Sequence, residues 1–526
     1  MLSEQQLKFI KKDSEKNYLH SHFLRSVINF PNNPALSINK KKYTYEELFN
    51  LSNTMANNYI KHIKKRPERI AFYFDKNVNS YVCILSILIA GATFVPLNPK
   101  FPDGRTCKMI ELGKLDLIVT ERKYEEKLNK IISDVPENIR PKLFCVEWLD
   151  MSVNEMMKAI DKREDFAYLL FTSGSTGQPK GVPISHKNAS QFLKACESRY
   201  DFNCKDNFSQ TFDFTFDLSI FDMFMAWRHG ACVCPLNNID MLSPFKFVSE
   251  NNITIWFSVP SVASGLNKLN LLKPNSLTSL RISLFCGEAL PQELAEAWQE
   301  AASNSIVENL YGPTELTVAC SAYRWDKTKS SSECVNGLAP IGQIYQGMDF
   351  IIVNEDLQIV KSGESGELCV SGPQMFSGYF NSSISINEII VESFNKLNER
   401  TIYYRTGDVV KLNANDNLIY LGRRDSQIKL SGFRVELSEI EFAIRKQGVQ
   451  EVAVIPNKNK HNLIDYLVAF ISGHDDKKIE EIKDGIKSIL PTYMIPQRII
   501  SMSSMPVNSN GKIDRKELSN NLSKVV

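Results

Sequence analysis

Apolar and polar positions along this chain follow two rhythms that exchange places repeatedly. Over Tyr43–Ile60 apolar residues recur at helical spacing, with Thr44 placed as an N-cap and Glu47 three positions on. Ile70–Phe74 predicts a strand, Tyr81–Ala90 a helix, and Ala92–Pro96 and Leu117–Thr120 two more strands. Helix and strand alternating at this spacing predict α/β layers on largely parallel sheets. The most apolar long run, Tyr81–Leu97, is short for a membrane span and is broken by Gly91 and Pro96. It reads as a buried helix followed by a buried strand.

Farther along, a helix is expected from about Lys187. Ile253–Val259 predicts a buried strand ended by Pro260, Ser283–Phe285 predicts another, and Asn309–Glu315 reads as a turn by its Gly-Pro pair. From about Pro340 short β-like runs with Gly turns suggest a smaller β-rich unit. After Arg424 the pattern is mixed again: helices at Leu437–Gln447 and Lys477–Ile489, strands at Glu451–Pro456 and Tyr466–Ile471. There are no internal repeats and no low-complexity linkers.

Composition narrows the class. At 526 residues the chain exceeds what one core usually supports, so at least two domains are expected. A formal net charge of +2, with lysines and acids interspersed, gives no reason to expect nucleic acid or an anionic membrane as partner. The 11 cysteines are scattered without a C-x-x-C pair, Cys232 and Cys234 being the nearest neighbours. That pattern suits reduced, mostly buried thiols in a cytoplasmic protein. The first residues lack the apolar core of a signal peptide.

Candidate chemistry centres on Leu169–Val182, LLFTSGSTGQPKGV. An apolar run leads into a loop of small hydroxyl residues and glycines, then Lys180. Such a loop can cradle phosphate oxygens with backbone N–H groups while the lysine adds charge. It is not a Walker A loop, because Lys180 lies between Pro179 and Gly181. Nor is it a hydrolase nucleophile elbow, because Ser173 stands where the first glycine is needed. Taken alone, the loop is as well explained by a flexible Gly/Ser turn.

Its company decides between the two. NLYGPTE (309–315), GELCVSGPQMFSGYF (366–380), YRTGDVV (404–410), LGRRDSQIKLSGFRVELSEIE (421–441), LPTYMIP (490–496) and NGKIDR (510–515) follow in order. Together these stretches resemble the adenylate-forming superfamily of acyl-CoA ligases, luciferases and peptide-synthetase adenylation domains. TFDLSIFDMF and ITIWFSVPS are similar to prolyl-carrier-protein ligases, and LFCGEALP to D-alanine:carrier-protein ligases. The resemblance implies a large N-terminal domain (1–424) of layered mixed sheets with helices, including a β-rich subdomain at about 340–424. It further implies a small, mobile α+β C-terminal domain (425–526) hinged at Asp425.

The implied reaction is ATP-dependent, AMP-forming activation of a small apolar amino acid. The acyl group then passes to the phosphopantetheine thiol of a carrier expected to be a separate protein, because no carrier-serine motif occurs in the chain. L-Proline is the leading substrate and D-alanine the second. The rivals are an acyl- or aryl-CoA ligase and a catalytically inactive nucleotide-binding protein.

By the same resemblance Thr172, Ser173, Gly174 and Lys180 would hold the leaving phosphates. Gly287, Glu288, Asn309, Tyr311 and Gly312 would surround adenine, and Thr314 would contact the α-phosphate. Asp408, Tyr420 and Arg423 would hold the ribose. Glu315 would bind Mg²⁺, and Lys512 would bridge substrate carboxylate and α-phosphate. Asp217 would pair with the substrate ammonium. Leu218, Phe221, Phe257, Leu284, Cys286, Leu310, Val318 and Ala319 would form a side-chain pocket without charge. Asn98 and Gly104 replace usual acids in a stretch read as structural, and Ser431 replaces a common basic residue.

Overall fold

Every residue that caps the helix Tyr45–Ile63 is set in the sequence. The Thr44 hydroxyl accepts from the Glu47 N–H at 3.2 Å, and the Glu47 carboxylate accepts from the Thr44 N–H at 2.8 Å. This reciprocal capping box stabilises a helix start by roughly 1 kcal/mol. The computed structural model describes residues 4–148, 165–174, 178–237, 240, 243–382, 386–394, 399–425, 427–459, 463–473, 476–507 and 513–525.

Two large sheets carry the N-terminal part. A six-stranded sheet runs in the order Lys142–Cys145, Leu117–Thr120, Arg69–Tyr73, Thr93–Leu97, Phe166–Thr172, Lys180–Ser185. It is parallel except for its last pair. A nine-stranded sheet has a parallel centre, Ile306–Tyr311, Ile282–Phe285, Ile255–Ser258, Asn207–Gln210, Cys232–Pro235 and Pro34–Ile38, with antiparallel strands at both edges.

The helices Val78–Ile89 and Leu218–Arg228 belong to the core cluster that joins these sheets. From Ser80 to Ile89 and from Leu218 to Trp227 every residue is buried, as all-round apolar helices must be. Among the described residues no helix is long and apolar enough to cross a membrane.

A third, all-antiparallel sheet (Asp349–Val353, Gly366–Ser371, Arg400–Leu412, Ile390–Phe394, with Leu418–Arg423 on Arg400–Leu412) shares that core cluster. Beyond Arg423 the chain forms the hairpin Gln427–Leu430/Phe433–Glu436 and a three-stranded sheet (Val452–Lys458, Ile464–Ser472, Arg498–Met502). Helices Leu437–Arg445 and Asp476–Lys487 accompany them, with cores of their own.

The candidate phosphate loop closes a hairpin, because Phe166–Thr172 and Lys180–Ser185 pair antiparallel and Lys180 opens the returning strand. One expectation needs correction. Asn309–Glu315 is not all turn, because Ile306–Tyr311 is a buried parallel strand and the chain bends only afterwards. Glu308 disguised that strand. It is fully buried yet bound by Arg199 at 3.0 Å, Tyr200 at 2.6 Å and Arg324 at 2.7 Å.

Candidate active site

Asp217 stands immediately before helix Leu218–Arg228 but makes no side-chain cap to it. Its Oδ2 accepts instead from the Val318 N–H at 3.2 Å. That N–H is delivered by a strained turn: Thr317 and Val318 have φ of 60° and 71°. β-Branched residues avoid this region, at a cost of roughly 1–3 kcal/mol each. The Gln374 amide holds the turn, donating to the carbonyls of Leu316 at 3.1 Å and Ala319 at 2.7 Å, while the Thr317 hydroxyl donates to the Gln374 carbonyl at 2.6 Å.

Burial raises the Asp217 carboxyl above its ordinary range, and the attraction of Lys429 and the bonds from Thr314 and Val318 only partly offset this. No cationic side chain among the described residues forms an ion pair with it.

A cavity of about 60 Å³ lies here, walled by Asp217, Leu218, Cys286 and Val318, with Thr172, Ser173, Gly287, Gly312 and Thr314 also on its lining. Burial pushes the Cys286 thiol up to about 12. Of the expected pocket residues, Phe221, Phe257, Leu284, Leu310 and Ala319 do not line it. They pack behind the wall in the main core. Neither nearby acid lines the cavity. Asp213 ties its own turn through the Thr215 N–H at 3.0 Å, and Asp222 is fully buried in the helix that follows Asp217.

The expected nucleotide residues form two further groups. Asp408 has both oxygens engaged: Oδ2 accepts from the Tyr311 hydroxyl at 2.6 Å and Oδ1 from Arg423 at 2.7 Å. Arg423 also donates to both oxygens of Asp425, at 2.7 and 2.8 Å. Burial opposes ionisation of Asp425, but the Arg423 bonds prevail and hold its carboxyl low. Tyr420 packs beside this group against the main core, and the Asn309 amide donates to the Pro340 carbonyl at 2.8 Å, facing away from the cavity.

The third group surrounds Glu315, which is fully buried. Burial would raise its carboxyl, yet the charge of Arg434 and the Tyr379 hydroxyl outweigh that and hold it below the ordinary range. Arg434 Nη1 lies 2.8 and 2.7 Å from its two oxygens, and the Tyr379 hydroxyl donates at 2.7 Å. The phosphate-loop side is close by: Ser173 Oγ donates to the Arg434 carbonyl at 2.7 Å. At Gly174 any Cβ would stand 2.1 Å from the Gln178 carbonyl oxygen, so only glycine fits. The Lys180 ammonium sits 5.5 Å above the Tyr379 ring. Ser175, Thr176, Gly177 and Lys512 lie outside the described residues.

Arg434 arrives on the hairpin beyond Asp425. Its turn residues Ser431 and Gly432 have φ of 50° and 83°, the two positive values of a type I′ turn. The Gly432 N–H donates to Glu288 at 3.0 Å, and a Cβ on Gly432 would stand 2.5 Å from Val259. Lys429 and Arg434 are direct cross-strand partners, so both point to one face, and both line the cavity. Like charges placed opposite one another are unfavourable unless anionic groups face them. Phe433 stacks on Tyr493 at 3.6 Å and meets Phe216 edge-on at 4.4 Å, while Arg105 Nη1 bonds Glu439 at 2.6 Å across the junction.

Sequence reasoning passed over Lys429, Arg434, Tyr379, Gln374 and the Arg105–Glu439 pair. The signal for Lys429 and Arg434 was present in QIKLSGFR, where two cations fall on one face once the Ser-Gly turn sets the register.

An ionised, buried carboxylate that already gathers a cation suits Mg²⁺, which takes oxygen ligands and is often held by one carboxylate together with substrate phosphates. No group of three or more His, Cys, Asp or Glu among the described residues could hold a metal by itself. Glu315 therefore fits as a metal ligand that acts with a bound nucleotide.

Comparison with known proteins places this geometry. Residues 23–380 match the AMP-binding enzyme model, and residues 439–512 match the AMP-binding enzyme C-terminal domain. Zwittermicin A synthase ZmaJ of Bacillus cereus is 30% identical over 507 residues, covering 94% of this chain and 93% of that protein. Gramicidin S synthase 1 of Brevibacillus brevis is 29% identical, covering 98% of this chain but 46% of its own length, so the chain spans about half of that relative. The solved adenylation domain AlmE of Vibrio cholerae, in complex with glycyl-adenosine-5'-phosphate, superposes with a TM-score of 0.84 at 28% identity, covering 96% of this chain and 98% of that one. The chain therefore belongs to the AMP-binding enzyme family, within the adenylate-forming superfamily.

Proposed function

We propose that the protein activates a small apolar amino acid with ATP and transfers it to the phosphopantetheine thiol of a separate carrier protein. The carrying observation is Asp217: a buried carboxylate on a cavity wall, without an ion-pair partner among the described residues, beside apolar Leu218, Cys286 and Val318. A substrate ammonium completes it. Leu218, Cys286 and Val318 offer a charged substrate side chain no partner, and the cations on the lining, Lys429 and Arg434, belong to the hairpin 427–436.

In the first step a substrate carboxylate oxygen bonds to the α-phosphorus of ATP, and the bond from that phosphorus to the β-phosphate bridging oxygen breaks. Pyrophosphate leaves, and an aminoacyl-adenylate remains. Asp217 orients the amino end, while Lys512 neutralises charge between the carboxylate and the α-phosphate, assisted by Thr314. Thr172, Ser173, Gly174 and Lys180 receive the leaving phosphates. Asp408 and Arg423 hold the ribose, with Tyr311 and Gly287 at the base. Mg²⁺, when bound at Glu315, offsets phosphate charge. Positioning and charge neutralisation supply most of the catalysis in such transfers. In the second step the thiol sulfur bonds to the acyl carbon and AMP departs.

L-Proline remains the lead from the sequence motifs. A second reading, alanine or glycine, is favoured by the narrowness of the wall, since Phe221, Phe257 and Leu310 stay behind it. The glycyl-adenylate in the AlmE structure supports that size class. Amino-acid-dependent pyrophosphate exchange with L-proline, both alanines and glycine tests both readings. Exchange confined to charged or aromatic acids, or none at all, refutes them. Transfer to free coenzyme A in preference to a carrier would favour a CoA ligase.

A further inference from the structure

We infer that Gln374 is a positioning residue for the amino end of the substrate, acting through the turn 316–319 to hold the Val318 N–H on Asp217. This inference rests on the ammonium role proposed for Asp217, and adds the residue on which that role depends.

The contacts run in one chain. The Gln374 amide nitrogen lies 3.1 Å from the Leu316 carbonyl, 3.4 Å from that of Thr317 and 2.7 Å from that of Ala319. Three carbonyls so close in sequence meet one side-chain nitrogen only where the backbone curls back, and the positive φ values at Thr317 and Val318 are that curl. A reverse bond runs from the Thr317 hydroxyl to the Gln374 carbonyl at 2.6 Å. On its other side the turn lies against Gly312, where a Cβ would stand 2.6 Å from the Ala319 Cα. β-Branched residues stay in this conformation only when their surroundings over-determine it. Gln374 is itself fixed from behind. The Asn188 amide donates to the carbonyls on either side of it, Pro373 at 2.8 Å and Met375 at 3.0 Å. The Asn188 oxygen meanwhile accepts from the Ser185 N–H at 3.1 Å, as part of the capping box of helix His186–Glu197.

The output of this chain is one N–H aimed at one carboxylate oxygen. Burial raises the Asp217 carboxyl; Lys429, Thr314 and the Val318 N–H oppose that, while Glu315 adds to it. The Cys286 thiol and the Tyr168 hydroxyl are the other titratable groups that feel its charge among the described residues. Withdrawing the N–H would let the carboxyl titrate still higher, so a smaller share of the protein would carry the charge that meets an ammonium. Glu315 keeps its own ties, to the Phe376 N–H at 2.9 Å and to Tyr379 and Arg434, so loss of the Gln374 amide bears on Val318 rather than on the phosphate side.

Gln374→Met keeps length and apolar bulk but removes the donor. Pyrophosphate exchange by the full-length protein reads it, with whichever of L-proline, the two alanines and glycine supports exchange in wild type. The amino-acid KM is expected to rise about tenfold, the value of one hydrogen bond to a charged group, with kcat and the KM for ATP near wild type. The acid limb of the kcat/KM profile for the amino acid should move to higher pH. In an Asp217→Asn background the same substitution should change kcat/KM by less than about twofold, because the charge it serves is gone. Thr317→Val removes the other half of the clamp, should move the same readouts in the same direction, and serves if Gln374→Met fails to fold. A merely structural glutamine would lower Tm and leave the KM ratio and the acid limb where they are. Losses shared equally with the KM for ATP, an unmoved acid limb, or full additivity with Asp217→Asn overturns the inference and leaves the adenylating function standing. A wild-type protein that exchanges with none of these amino acids overturns both.

Discussion

Replacing Asp217 by Asn should damage activity while sparing the fold. Asp217 is 8% exposed, its Oδ2 accepts the Val318 N–H at 3.2 Å, and Thr314 also bonds the carboxyl. An Asn oxygen can keep the Val318 bond. What it removes is the charge, which burial disfavours. Apo Asp217→Asn is therefore expected to melt no lower than wild type.

The pH dependence has a definite sign. The folded carboxyl titrates above its unfolded value, so the native state binds the extra proton and this group's contribution to stability falls as pH rises through that window. The advantage of the Asn variant in Tm should grow over the same range. Facing a substrate ammonium the sign reverses. Loss of the charged half of a buried pair costs about 3 kcal/mol, at the low end of such measurements, or roughly a hundredfold in kcat/KM. The ammonium is held in ground and transition states alike, so the loss should fall on the amino-acid KM, with the KM for ATP unchanged. Pyrophosphate exchange over a range of amino-acid concentrations reads both. A kcat/KM within threefold of wild type, or a Tm several degrees lower, would refute the ammonium assignment.

Lys512→Ala should abolish most pyrophosphate exchange while leaving ATP affinity, read by calorimetry, near wild type; unchanged exchange would remove Lys512 from the chemistry. Asp425→Pro should permit exchange but block thioester formation, because a fixed φ restricts rotation there, and equal loss of both half-reactions would count against a hinge. Arg105→Ala strands Glu439, both side chains being at most 6% exposed, and should weaken the junction by about 3–5 kcal/mol. Carrier loading should fall with exchange preserved, and Glu439→Gln added to it should restore part of the loss.

Local signals in the sequence were readable where the chain obeys local rules. The Thr44 capping box, the strand at Leu117–Thr120 and the helix starting at Leu437 appear where patterning put them. Glu308 misled because its charge is satisfied by Arg199 and Arg324, the latter brought alongside only when Ser321–Arg324 pairs with its strand. The pocket was half legible. Asp217, Leu218, Cys286 and Val318 meet at one wall, but which of the flanking aromatics reach the cavity depends on sheet packing that no motif records. Gln374 could not be found from its neighbours, since its partners lie 55–58 positions away.

The left-handed bend at 317–318 limits how this enzyme could be retuned. Val318 supplies both a wall of the cavity and the N–H that steadies Asp217. Glycine there would ease the backbone but let the anchor drift, and a bulkier residue would tighten a conformation already unfavourable for it. On the function proposed here, breeding the pocket toward larger acids has to begin at Leu218 or Cys286, where a side chain can shrink without disturbing the loop that steadies Asp217.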